Sequence, residues 1–183
     1  MSRLLLTAVI ALLVGIGIVL ATLFFLRGDA ESISRVYGDW KLTCVAQTTS
    51  NGACALTQNI LQSGSGATLV HLEFYQVGGK RHLMILVPFD VLLQPGLGFG
   101  IENASLRMVN YETCNSVGCI ALMPIDDYTL CQLRSGDHCR IVVEGKDGKP
   151  IAFPCSLRGF DEGIGVFTWE SLKRNTWMGR FLP

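Results

Sequence analysis

LMILVPFDVLLQPGLGFGI, which runs from Leu83 to Ile101, is typical of two strands joined by a bend. The first strand, Leu83 to Val87, is an unbroken apolar run, short enough for a strand buried on both faces. Pro88 cannot donate a hydrogen bond to a neighbouring strand, so the run stops or bends there. Because proline presets φ at one turn position and glycine accepts a positive φ at the next, Gln94-Pro95-Gly96 predicts a tight turn.

Glycines alternate with bulky apolar residues in the second strand of this stretch, Leu97 to Ile101. Gly98 and Gly100 leave one face of that strand bare, which lets another backbone or side chain approach closely. Apart from Asp90, the stretch contains no nucleophile, base or metal ligand. The stretch therefore predicts a structural role rather than a catalytic or metal-binding one.

The composition limits the classes of function. The chain has 183 residues, of which 49% are hydrophobic, and its formal net charge is zero. This length allows one domain of ordinary size and an appendage. Because phosphate binding needs a basic field, a neutral chain gives no support for a nucleic-acid partner.

The appendage is an apolar segment, Leu4 to Leu26, without a charge between Arg3 and Arg27. As a helix it would extend about 34 Å, enough to cross a bilayer core of about 30 Å. We therefore predict a membrane helix over residues 4–26. Arg3 and the free amino terminus before the helix favour a cytoplasmic N-terminus, which predicts a single-pass inner-membrane protein with its domain in the periplasm.

A cleaved signal is the alternative for this segment, because Gly28-Asp29-Ala30 offers small residues for cleavage. Cleavage would release the protein to the periplasm or the cell surface. With either outcome, the sequence predicts an anchor or signal over residues 1–27 and a linker over 28–36. A β-sandwich domain with a C-terminal helical tail would then occupy residues 37–183.

Seven cysteines follow the apolar segment, and this usage in an exported domain indicates disulfides. Cys44 and Cys54 face each other across a predicted hairpin, and a second bridge, Cys114–Cys119, would pin another hairpin tip. One further bridge is expected among the last three cysteines. Cys139–Cys155 is the first choice, because the hairpin around Asp147-Gly148 places them nearly opposite one another. Cys131 would then be the odd thiol, which we expect to be buried and inert.

About eight short strands, spaced by roughly ten residues and separated by turn signals, predict an antiparallel sandwich or barrel. Long helices that could connect parallel strands are missing from the pattern. A short helix is predicted over Asp126 to Arg134, with Asp126 or Asp127 as its cap. The last helix would cover Asp161 to Asn175, with the following residues on one side: Val166, Trp169 and Leu172.

Several stretches resemble the invasion-associated locus B family, small exported proteins of Gram-negative bacteria. The resemblance begins at YGDWKLTC (Tyr37 to Cys44), with Cys54 and Gln58 behind it. It continues through ILVPFDVLLQPGLGFGIE (Ile85 to Glu102), Tyr111 and the segment from Cys114 to Cys119, and ends at SLRGF (Ser156 to Phe160). These stretches follow the order and spacing of the family over most of residues 37–160.

The resemblance implies an immunoglobulin-like β-sandwich, a periplasmic or surface location and a link to host-cell invasion in pathogenic members. Four cysteines match the family's paired positions: Cys44, Cys54, Cys114 and Cys119. No catalytic residue and no cofactor come with the resemblance. This chain departs from the family pattern in its three further cysteines and in its longer apolar N-terminus.

The residues themselves favour a non-enzymatic interaction module over an enzyme. Four residues separate Cys114 from Cys119, and no helix follows them, unlike a redox C-x-x-C motif. The histidines lie in separate predicted elements, whereas zinc needs convergent ligands. We therefore predict no catalytic, metal or cofactor site. An envelope thiol-disulfide redox protein, or an enzyme with a site assembled from distant residues, is the alternative.

Aromatic and apolar residues gather in the C-terminal tail among cations. Such a mixture suits a membrane interface or a protein partner. Trp169 is expected to pack back on the sandwich with the last helix. Trp177 and Phe181 are the predicted partner-binding residues, and the partner would be an unknown protein, a host surface or the nearby bilayer.

Overall fold

The computed structural model describes residues 12–18, 32–45 and 54–175. Residues 12–18 form a helical segment, α1, whose side chains are exposed. Within these described ranges, no helix is both long and apolar enough to cross a membrane. Most of the predicted membrane helix, residues 4–26, lies outside the described residues, and so do Trp177 and Phe181.

Two antiparallel sheets form the domain. In the described part of the chain the strands are β1 (Ile33–Tyr37), β2 (Trp40–Cys44), β3 (Cys54–Leu61), β4 (Thr68–Val77), β5 (Lys80–Val87), β6 (Leu97–Ile101), β7 (Arg107–Val109), β8 (Tyr111–Asn115), β9 (Gly118–Ile125), β10 (His138–Glu144) and β11 (Pro150–Ser156). The large sheet has the order β1-β2-β3-β4-β5-β9-β8, and the small sheet has the order β11-β10-β6-β7.

Alternation along the strands of the large sheet selects one buried face. In β4, for example, Val70, Leu72 and Phe74 are fully buried, and the residues between them are partly exposed. Corresponding residues of β2, β3, β5 and β9 join the same core. The small sheet, α2 (Asp127–Ser135) and α3 (Phe160–Asn175) supply the rest of that core. Trp40 is buried within this core.

The helix α2 begins as predicted, with Asp126 as its cap. The Asp126 Oδ1 atom accepts a hydrogen bond from the Thr129 N–H at 2.7 Å. Leu133 is buried and Leu130 is partly buried, so the side of the helix that carries these two residues faces the core.

The inward face of α3 differs from the prediction. Its buried apolar residues are Phe160, Ile164 and Phe167, spaced four and three residues apart. Trp169 and Leu172 fall on the other side of this stripe and are 44% and 49% exposed. The prediction that Trp169 packs back on the sandwich is therefore wrong.

The two antiparallel sheets with a C-terminal helix agree with the predicted fold class. The first five strands, however, follow one another as neighbours in one sheet. Immunoglobulin sandwiches instead distribute their strands between sheets through Greek-key connections, so the immunoglobulin-like connectivity is not observed. β1 begins at Ile33, inside the stretch predicted as linker, because Ile33 and Tyr37 pack against the core.

In the stretch from Leu83 to Ile101, the prediction of a tight turn is confirmed and the prediction of a strand buried on both faces is wrong. β5 is buried on one face only, because Met84 and Leu86 lie on the outer face of the sheet and are partly exposed. Gly96 has φ +74°, and its N–H donates to the Leu93 carbonyl at 3.1 Å, so a tight turn is present one residue earlier than predicted, with Pro95 at its third position and Gly96 at its fourth. A Cβ atom on Gly96 would lie 2.5 Å from the Val109 oxygen, which explains the glycine.

Candidate functional site

Two stretches of the family resemblance meet where the large sheet contacts the end of β11. The Trp40 Nε1–H donates to the Ser156 carbonyl at 2.9 Å. The Gln58 Nε2–H donates to the same carbonyl at 2.9 Å, and Gln58 Oε1 accepts from the Ser156 N–H at 3.2 Å. Gln58 is only 6% exposed, so its amide is a buried polar group whose hydrogen bonds join the two sheets.

The backbones also approach closely at this junction. A Cβ atom on Gly38 would lie 2.4 Å from the Arg158 oxygen, and one on Gly159 would lie 2.1 Å from the Tyr37 oxygen. Both glycines have positive φ, +54° and +87°. Only glycine fits such a combination of conformation and contact. The YGDW and SLRGF stretches are therefore a structural junction.

A polar cleft of about 680 Å³ lies beside this junction. Its charged side chains include two ion pairs, Arg158–Asp39 and Arg134–Asp161. The hydrogen bond from the Arg158 side chain lowers the pKa of Asp39, and a hydrogen bond from Ser156 adds to this effect. These charges neutralise one another and close the α3 end of the junction. Among the described residues, no group of three or more His, Cys, Asp or Glu side chains could hold a metal ion.

An apolar groove, about 230 Å³ in volume, lies on the outer face of the small sheet. Its floor is the bare strand face that the sequence predicts at Gly98. A Cβ atom on Gly98 or on Gly100 would lie 3.0 Å from a methyl group of Leu106, so this side chain lies against the glycines and forms one wall of the groove. Met108 and Val142 form facing walls, because both pair with Gly98 across the sheet.

Exposed apolar side chains flank the groove. Met108 is 58% exposed, and Leu93 is exposed just before the turn that lines one end. The Leu92 N–H donates to the Glu144 carbonyl at 2.8 Å, which ties the segment after β5 to the groove. We call the following set the apolar surface: Phe89, Leu92, Leu93, Leu106 and Met108. Exposed apolar groups gathered in this way are typical of a binding surface.

Hydrogen bonds hold the loop above Gly98 in place. The Arg140 side chain donates to the carbonyls of Glu102 and Ala104, both at 2.8 Å. The Glu102 carboxylate accepts from the Asp137 and His138 N–H groups at 2.6 and 3.0 Å. The backbone N–H of His138, followed by that of Asp137, lowers the pKa of Glu102. The loop that carries Leu106 is therefore fixed to β10 from two sides.

Three disulfides join the same cysteines as the predicted pairs: Cys44–Cys54, Cys114–Cys119 and Cys139–Cys155. Cys44 and Cys54 lie in the core, so their bridge is structural. Cys131 is free and exposed on α2. The expectation of a buried odd thiol is wrong, because Leu130 and Leu133 occupy the inner face of this helix and turn Cys131 outward.

The apolar groove was not predicted from the sequence. Its clearest signal was the alternation of Gly98 and Gly100, which predicted a close approach without identifying Leu106 as the approaching side chain. Met108 and Val142 belong to strands far apart in the sequence. Only the pairing of β6 with both β7 and β10 brings them to one face. The predicted partner-binding residues, Trp177 and Phe181, lie outside the described residues.

Two antiparallel sheets, three disulfides and a C-terminal helix define the class: a disulfide-bonded β domain. Within that class, the family model of the invasion associated locus B (IalB) protein matches residues 40–166, and the chain belongs to this family. Two relatives from Brucella abortus, the invasion protein B homologs BAB1_0368 and BruAb1_0366, are 28% identical to the chain over 141 residues. The match covers 76% of the chain and 81% of each relative.

A solved structure has the same fold. The crystal structure of invasion associated protein b from Bartonella henselae matches with a TM-score of 0.67 at 18% sequence identity. The match covers 75% of this chain and 96% of that chain. At this identity the likeness bears on the fold alone.

Proposed function

We propose that this protein is a non-enzymatic interaction module of the cell envelope, and that its apolar surface binds an apolar segment of a protein partner. The observation that carries the proposal is the groove over Gly98, with Met108 and Leu106 exposed beside it. A partner side chain can make a well-packed contact in a groove whose floor is fixed backbone and whose walls are exposed apolar side chains. The hydrogen bonds of Arg140 and Glu102 support the proposal, since they fix the groove before the partner arrives.

The polar cleft beside the junction supports the non-enzymatic part of the proposal. Asp39 is paired with Arg158, and its pKa is shifted down, away from neutrality. Proton transfer at neutral pH is best served by a group with a pKa near the operating pH. The cleft therefore fits a structural role better than general acid-base catalysis.

Photocrosslinking in intact cells tests the proposed partner site. A photoreactive phenylalanine analogue at Met108 should yield a discrete crosslinked product, identified by mass spectrometry. The same analogue at Val36, an exposed apolar position on the edge strand β1, is the control. Met108→Glu should abolish capture of that partner, and Val36→Glu should preserve it. Equal products from both positions, or capture unaffected by Met108→Glu, would contradict the proposal.

The proposal also includes location. Residues 4–26 would anchor the protein in the inner membrane, and residues 32–175 would lie in the periplasm. Carbonate-washed membranes should then retain the full-length protein, and a reporter active only in the cytoplasm should stay silent when fused after Pro183. A soluble product shortened to begin near Glu31 would instead support the alternative of a cleaved signal.

The proposal also covers the C-terminal tail and a role in host-cell invasion. Trp177 and Phe181 would add a contact to the partner or bilayer, so truncation after Asn175 should weaken binding and change the melting temperature by only a few degrees.

The relatives are named for invasion, and a role in host-cell invasion is proposed here on that basis. In an organism that enters host cells, a deletion strain carrying Met108→Glu should enter less often than one carrying Val36→Glu.

A further inference from the structure

We infer that one end of the large sheet, the hairpin end, rests on the phospholipid surface in which residues 4–26 are anchored. The hairpin end comprises Ile33, Val45, Val77, Lys80 and the C-terminal turn of α3. The inference rests on the proposed anchor and adds an orientation of the domain relative to the bilayer.

The strand register places these residues at one end. Ile33 pairs with Cys44, and Cys44 pairs with Cys54, so the start of β1 is level with the end of β2 and the start of β3. Ala55 in turn pairs with Tyr75, two residues before Val77. Because neighbouring strands are about 5 Å apart, the step from β1 to β4 across three such spacings is about 14 Å. The entry of the chain into β1 and the β4–β5 turn are therefore close neighbours.

The last helix ends at the same place. α3 starts beside Tyr37, since a Cβ atom on Gly159 would touch the Tyr37 oxygen. Its final turn reaches Val45, whose carbonyl accepts a hydrogen bond from Arg174 Nη1 at 2.7 Å. The chain thus enters the described domain at Ile33 and leaves it at Asn175 from one end.

Chain length keeps this end near the anchor. The seven residues from Leu26 to Ile33 span at most about 25 Å when fully extended. β4 alone, from Thr68 to Val77, is about 30 Å long. The connection is therefore shorter than the large sheet, and the hairpin end is the part of the domain held closest to the bilayer.

The exposed groups at this end suit the boundary between headgroups and acyl chains. Val45 and Val77 are both more than half exposed, and Val77 lies next to the Gly78-Gly79 turn and the exposed Lys80. Lys173 Nζ lies 5.1 Å from the centroid of the Trp169 ring near the end of α3. Apolar groups with nearby cations and tryptophan are typical of membrane interfaces.

Among the described residues, the acidic groups of β9 and α2 at this end are already engaged. The Asp127 carboxylate pairs with Arg81, and Asp126 caps α2 through the Thr129 N–H. Phe89 follows the opposite end of β5, where Val87 pairs with Cys119. This orientation therefore turns the start of the apolar surface away from the bilayer, toward a partner in the periplasm.

Site-specific fluorescence quenching tests this orientation in the full-length protein. In a Cys131→Ser background, Val77→Cys and Leu61→Cys each give one free thiol for a small fluorophore. Leu61 is exposed like Val77 and pairs with Thr68, at the other end of β4, so it is a matched control. The proteins are reconstituted in phosphatidylethanolamine–phosphatidylglycerol vesicles containing lipid with a nitroxide on its headgroup. We expect severalfold stronger quenching at position 77 than at position 61.

The anchor and the orientation can fail separately. Retention after a carbonate wash with equal quenching at both positions, or with stronger quenching at position 61, overturns the orientation and leaves the anchor intact. Extraction by carbonate overturns the anchor and the orientation together. The pair Val45→Cys and Phe89→Cys repeats the comparison on other strands and should give the same ranking. The opposite ranking would overturn the inference.

Discussion

Replacing Gln58 with leucine should destabilise the domain, because the side chain joins the two sheets from a buried position. Gln58→Leu keeps the approximate volume and removes both hydrogen bonds with Ser156. The Ser156 carbonyl keeps its bond from Trp40 Nε1, but the Ser156 N–H loses its acceptor. A stranded part-buried N–H together with the lost bonds costs about 2–3 kcal/mol. For a domain of this size that loss lowers the melting temperature by about 5–10 °C.

Urea unfolding with the disulfides intact measures this loss, and Gln76→Leu is the control. Gln76 is exposed on β4, so the same substitution there should change the free energy of unfolding by less than about 0.5 kcal/mol. Trp40→Phe combined with Gln58→Leu should cost more than the sum of the single variants, because the Ser156 carbonyl then loses both donors. A Gln58→Leu variant as stable as the control would refute the assigned role of the junction.

Three further predictions concern charge, redox state and backbone geometry. Because Arg158 lowers the pKa of Asp39 in the folded state, the stabilisation is present at neutral pH and is lost on acidification. The difference in urea midpoint between wild type and Asp39→Asn should therefore shrink as the pH falls below about 4, and a constant difference would contradict this pairing. One thiol per chain, Cys131, should react with Ellman's reagent in the native protein, and a reaction seen only after denaturation would show that it is buried. Gly159→Ala should prevent stable folding, whereas Gly165→Ala, with nothing within 4 Å of the added methyl, should stabilise α3 by about 1 kcal/mol, and similar melting temperatures would contradict both.

Local sequence patterns predicted the elements of the fold well where one face was buried. The alternation of buried and partly exposed residues in β4 and the Asp126 cap of α2 depend on residues close together in the sequence, so local patterns reveal both. The burial of β5 on one face only could not be predicted in this way, because Met84 and Leu86 are apolar residues that lie on the outer face of the sheet.

The inward face of α3 was missed for a related reason. The helix offers two apolar stripes, one with Trp169 and Leu172 and one with Phe160, Ile164 and Phe167. Packing against the sheet selects the second stripe, which is buried. Which of two apolar faces is buried depends on the shape of the sheet surface against which the helix packs. The sequence of the helix alone does not contain that information.

The candidate site was less predictable than the fold. Gly98 and Gly100 indicated a close approach, but the approaching side chain, Leu106, comes from a loop whose position depends on Arg140. Met108 shares a face with Val142 only after β6 has paired with both of their strands. Contacts of this kind are set by the order of strands in the sheet, which no local pattern of residues specifies.

The stretches that carry the family resemblance hold the junction and the floor of the groove, whereas Met108 on the groove wall lies outside them. Gly38, Trp40 and Gly159 hold the two sheets together through close backbone contacts and a shared carbonyl, so relatives that keep them keep the fold. Met108 is exposed, so it can change without loss of stability. We therefore expect family members to share the junction and the groove floor and to differ at Met108, and membership to predict the fold more reliably than the partner.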